Sequence, residues 1–111
     1  MNKVKNVKIG DVIQFPWKQF SAYRKGWNGW TFRAAIVEKL YISKSGVECA
    51  TVRYNVNANE EATMNIKREY LFEFDVEIEK QIARKALEEE KKGLKVCWSA
   101  DAKLLVNHGL I

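Results

Sequence analysis

Hydrophobic and polar positions alternate along this chain with two different periods, and the change falls at Asp75. Ahead of it the period is two, the signature of half-buried strands. The segment "VKIGDVIQF" (Val7 to Phe15) sets a Gly-Asp turn before a short apolar run, with Ile13 and Phe15 on one face and Val12 and Gln14 on the other. Pro16 follows and predicts the end or an edge of that strand, because proline has no N–H for a ladder bond. Residues 17 to 29 show neither alternation nor helical spacing and contain Asn28-Gly29, so they predict a long aromatic loop spanning 16–29.

From Trp30 the alternation is the clearest in the chain. Trp30, Phe32, Ala34, Ile36, Leu40 and Ile42 share the parity expected to point inward, and Thr31, Arg33, Lys39 and Tyr41 share the other. Glu38 interrupts the apolar parity and predicts a bend or bulge. "SKSG" (Ser43 to Gly46) supplies a hairpin turn, with Gly46 available for a positive φ. The next strand sets Ala50, Val52, Tyr54 and Val56 inward and Cys49, Thr51 and Arg53 outward. The polar run "NVNANEEA" (Asn55 to Ala62) predicts another hairpin loop, leading to a strand with Met64 and Ile66 on one face. "YLFEF" (Tyr70 to Phe74) completes five strands.

Beyond Asp75 the period becomes about 3.6. Ile78, Ile82, Ala83, Ala86 and Leu87 form an apolar stripe on a helix over residues 75–92, acidic at its start and closed by Lys91, Lys92 and Gly93. The tail predicts a short strand from Leu94 to Trp98, then a short helix capped by Ser99, with Gly109 past its end and apolar terminal residues that dock. The expected class is therefore mainly β with C-terminal α (α+β): a five-stranded antiparallel, partly open barrel over 1–74, with 75–111 completing the same domain. At 111 residues one unit is the natural partition.

The Gly-Asp turn, long loop, curved hairpin and "YLFEF" closing strand, over roughly residues 7–74, resemble an SH3-like small barrel of the SH3, Tudor or KOW type. The resemblance rests on element order, and no residue-level signature is carried over with it. It implies a non-catalytic binding module whose loop between the first two strands meets the partner.

Charge sharpens this picture. Residues 1–58 carry a net +7 and residues 59–111 a net −2, within a total of +5. The positive field belongs to the first half and suits a polyanion or an acidic protein surface. In that half "YRKGWNGWTFR" (Tyr23 to Arg33) interleaves aromatics, cations and glycines, and seven of the thirteen aromatics fall between Phe15 and Phe32. Rings that stack on bases beside cations that contact phosphates hold nucleic acid in many proteins. Parity with Ile36 makes Trp30 and Phe32 core residues. Trp17, Phe20, Tyr23 and Trp27 are open to two readings, a lid on the core or a contact surface. The candidate set is Trp17, Lys18, Tyr23, Arg24, Lys25, Trp27, Arg33 and Arg53, with Arg33 and Arg53 expected on one sheet face.

Other chemistries find little support. Cys97, Asp101 and His108 fall within one short segment, which is a poor scaffold for a nucleophilic triad; a buried Cys97 and a helix-end His108 account for them. Two cysteines 48 residues apart without Cys-x2-Cys spacing predict reduced thiols and no zinc or other cofactor site. The carboxylates of "NEEA" and "EEEKK" are expected to serve solubility. No window approaches the roughly 18 apolar residues of a membrane span, and the N-terminus shows no secretory pattern, so the expected place is the cytoplasm. The leading expectation is a non-enzymatic nucleic-acid-binding module. The alternative is a protein-protein interaction module, such as a small phage or mobile-element inhibitor of a host enzyme. Two chains could also pair through the 75–92 helix if its apolar stripe is wider than the barrel covers.

Overall fold

The computed structural model describes residues 2–21 and 26–111, with the backbone alone over 18–21 and 26–30. Five antiparallel strands form one open sheet: β1 (Val12–Ser21), β2 (Gly26–Ile42), β3 (Glu48–Asn57), β4 (Glu60–Lys67) and the two-residue β5 (Phe72–Glu73). Their spatial order is β4-β3-β2-β1-β5, so four consecutive strands form a meander and the chain returns to add β5 beside β1. A single 3-10 turn, Arg68–Tyr70, precedes β5 and occupies part of the expected "YLFEF" strand. Two helices follow, α1 (Val76–Lys91) and α2 (Ala100–Asn107).

One face of the sheet holds the main core: Ile13, Phe15, Ala35, Val37, Ala50, Val52, Tyr54 and Leu71, with Val4, Val7, Leu40, Met64 and Ile66 packed around them. The parity expected of β2 is reversed here. Ala35 and Val37 point into this core, whereas Ala34 is buried on the other face, the one that α2 covers. Because both faces of the strand are covered, "AAIV" (residues 34–37) is apolar on both parities, and alternation alone does not say which side is the larger core. The bulge expected at Glu38 is present as a register shift between Val37 and Lys39, and past it Leu40 rejoins the core side.

The hairpin at Ser43 to Gly46 forms as its residues dictate, with Gly46 at φ 84 and the Gly46 N–H donating to the Ser43 carbonyl at 2.9 Å. The polar run after Tyr54 is shorter as a loop than its composition suggests. Strand β3 continues to Asn57 and β4 begins at Glu60, with a register shift between Asn55 and Asn57.

Helix α2 is the element that seals the second face. Leu104 and Leu105 are wholly buried and Ala102 nearly so. Its start is fixed by Ser99, whose hydroxyl accepts from the Ala102 N–H at 3.1 Å and donates to a Glu79 carboxylate oxygen at 3.0 Å. Replacing Ser99 with Ala should remove both bonds and lower stability by about 1 kcal/mol, measured as a shift of the denaturant midpoint. An unchanged midpoint would show that the cap is dispensable. The expected strand at Leu94 to Trp98 does not form, and this stretch is irregular connection.

Helix α1, capped by Asp75 and rich in acid at its start, packs on α2 rather than on the sheet. Only part of its apolar stripe is covered: Ala83 is fully buried, while Ile78 and Ile82 are 57% and 49% exposed. Cys97, expected to be buried, is exposed, and Cys49 is buried; both are free thiols. No helix among the described residues is long and apolar enough to cross a membrane.

Candidate functional site

The stretch expected as a loop is a two-stranded ribbon. Strand β1 runs through Pro16 to Ser21, and β2 begins at Gly26. Their pairing continues from Val12↔Ile36 to Ser21↔Gly26, interrupted by a register shift between Lys18 and Phe20. The neighbouring strands do not follow. β5 pairs with β1 only at Ile13 and Gln14, and β3 pairs with β2 only as far as Ile36↔Arg53. From Phe15 to Ser21 and from Gly26 to Ala35 the two strands therefore pair with each other alone and project past the rest of the sheet.

Strand Pro16 survives because of where its nitrogen points. The Ala34 N–H is directed away from β1, toward Asp101, which makes Gln14↔Ala34 a pair without mutual hydrogen bonds. Two residues on, Pro16↔Phe32 is a pair of the same kind, so the proline nitrogen faces the open edge beyond β5 and no ladder bond is lost.

Asp101 anchors the base of the ribbon. Where β3 leaves β2, the next outward N–H of β2 belongs to Ala34, and the Asp101 side chain accepts it at 3.1 Å in place of a strand carbonyl. Burial pushes the Asp101 carboxyl above its ordinary value, against the opposing pull of the Ala34 N–H and the Arg33 guanidinium. Sequence reasoning missed this residue. The only hint was an acid two positions after the helix-capping Ser99, which has an ordinary explanation in the helix dipole.

Arg33 lies opposite Phe15, on the main-core side, and its guanidinium carbon stands 4.7 Å from the centroid of the Trp17 ring. Trp17 is half-buried and itself packs on the main core. The two residues form a stacked pair at the ribbon's root, an arrangement that contributes about 0.5 to 2 kcal/mol depending on its desolvation. Trp17 is thus a core lid that also seats a cation. Phe32 is half-buried on the opposite face and meets Phe72 edge-on at 5.6 Å between centroids.

Arg53 does not join Arg33. It lies opposite Ile36, so it emerges on the face opposite the main core, contrary to the expectation of one shared face. The bulge at Glu38 and the reversed parity of β2 account for the difference. There the Arg53 Nε donates to a Glu38 carboxylate oxygen and a terminal nitrogen lies 3.7 Å from Glu61. The hydrogen bond to Glu38 raises the Arg53 pKa further above its ordinary value. Glu61 also lies 2.6 Å from the His108 Nε2. Two carboxylates on one guanidinium leave little net positive charge for a phosphate. They also give Glu61, read as a solubility residue, a structural task. His108 and Asp101 have separate hydrogen-bond partners, Glu61 on β4 and the Ala34 N–H on β2.

Of the remaining candidates, Lys18 sits on the ribbon opposite Trp30, and Trp27 opposite Phe20. Tyr23, Arg24 and Lys25 fall in the connection 22–25, outside the described residues. By sequence, residues 15–35 hold Lys18, Arg24, Lys25 and Arg33 and no Asp or Glu. The described surface hollows are elsewhere: one of about 350 Å³ lined by Val47, Glu48, Lys67, Arg68 and Glu69, another of about 340 Å³ between Val4, Asp11 and Phe74. No cluster of metal-ligating side chains occurs among the described residues. Comparison with protein-family models, curated proteins and solved structures gives no match for this chain.

Proposed function

We propose that this protein is a non-catalytic binding module that engages nucleic acid through the β1–β2 ribbon. The observation that supports the reading is the coincidence of shape and charge: the segment free of β3 and β5 is also the segment with four cations, seven aromatics and no acid. By sequence those cations all fall in this one stretch, apart from the acidic second half of the chain, which carries a net −2. Lys18, Arg24, Lys25 and Arg33 supply the attraction to phosphates, while Arg53, held by its two glutamates, falls out of the set. The order β4-β3-β2-β1-β5 with a 3-10 turn before the last strand is compatible with the SH3-like arrangement, which belongs to the same proposal.

The experiment is a titration with labelled oligonucleotides over a range of salt. Neutralising up to four phosphates predicts a slope of log K against log salt no steeper than about −3.6, and Lys18→Gln should reduce its magnitude by about 0.9 with an unchanged unfolding midpoint. A slope near zero, or one indifferent to Lys18, would remove the electrostatic basis of the reading. In that case an acidic protein surface is the better match to the same ribbon.

A further inference from the structure

Resting on the nucleic-acid reading, we infer that the ligand is B-form duplex DNA, entered through its major groove by the β1–β2 ribbon. The case begins with shape. A single strand is usually held in a concave, positively charged channel floored by free ring faces. The structure presents a two-stranded ribbon that leaves the sheet without a third strand paired to either side of it. The two rings at its root are already engaged, Trp17 beneath Arg33 and against the core, Phe32 against Phe72. They are supports of the ribbon rather than platforms for bases.

Dimensions agree with a groove. From Phe15 to Ser21 the unaccompanied ribbon is roughly 20 Å long at about 3.3 Å per residue, and its two strands lie about 4.8 Å apart. The B-DNA major groove is about 12 Å wide and admits a two-stranded β-ribbon. The A-form major groove of double-stranded RNA is deep and narrow, closed to such an element. Neither β5 nor β3 runs alongside the ribbon to collide with the groove walls, because their pairing stops at Gln14 and Ile36. A ribbon free of acid can lie between two phosphate backbones without like-charge repulsion.

The test uses the full chain in fluorescence anisotropy titrations at about 50 mM salt. The probes are a DNA duplex, the same sequence as single-stranded DNA, and the matching RNA duplex. The DNA duplex should bind at least about tenfold more tightly than either of the others. Bulky substituents at C5 of the pyrimidines, which project into the major groove, should weaken duplex binding by about tenfold, and a minor-groove-binding drug should not displace the protein. Single-stranded DNA or RNA duplex binding as tightly as DNA duplex, or duplex binding indifferent to the C5 substituents, would overturn groove docking while leaving the nucleic-acid reading standing. Failure of all three probes to bind would overturn both.

Discussion

Phe15→Ala should lower the unfolding free energy by about 4 kcal/mol, enough to leave little folded protein if the domain has the modest stability usual for its size. Phe15 has no exposed surface, lies at the centre of the main core, and meets Tyr54 edge-on with centroids 5.2 Å apart. Its neighbours Ala35, Ala50 and Val52 are small and cannot expand into the space a benzyl group vacates. A chemical denaturation curve measures the loss, and Phe15→Leu should recover more than half of it. A cost near 1 kcal/mol would mean that the sheet closes over the gap, and that the core is less tightly determined than its burial implies.

The second large effect falls at the base of the ribbon. Asp101→Ala should cost about 3 kcal/mol, because it strips the Ala34 N–H of its acceptor at a site the sheet cannot resupply. Asp101→Asn keeps an oxygen for the Ala34 N–H and should cost far less. The two variants also separate by pH. Since burial raises the Asp101 pKa in the folded chain, the folded state holds the proton more tightly than the unfolded one. The stability linked to that proton is fully present below the ordinary carboxylate range and is lost as pH rises through the raised value. Glu79, raised first by burial and also by Asp101, adds a slope of the same sign. Going from about pH 3 to about pH 7, the asparagine variant should therefore gain on the wild type. Urea midpoints at the two values decide it, and an asparagine variant that falls further behind at neutral pH would show that the charge on Arg33 outweighs the burial of the carboxylate.

What could be read in the chain, and what could not, divides along the range of the interactions. Gly46, Ser99 and Glu38 act on their immediate neighbours, and the turn, the cap and the bulge they announce are all present. The start of α1 was equally local, since the Asp75 carboxylate accepts from the Ile78 N–H three residues on. The ribbon was hidden for a different reason. Residues 17 to 29 carry no alternation that announces a strand, and Pro16 gave a stop signal whose cost disappears on an open edge. Likewise the choice of core face on β2, the partition of Arg33 from Arg53, and the Asp101 contact depend on which element lands beside which, at separations such as the 67 residues between Ala34 and Asp101. The candidate site was half visible: its cations and rings were plain in the composition, but their common platform was not.

Pro16 has one more effect, on relations between molecules. Unaccompanied strand edges invite a second chain to zip on by main-chain bonding, the first step toward aggregation, and this protein leaves such an edge open along β1. An incoming strand would find, next to the end of β5, a position with no donor and a ring in the way. Continuous lamination along the β1 side is blocked at its first rung, so that edge of the ribbon offers a second copy of the chain no unbroken row of donors.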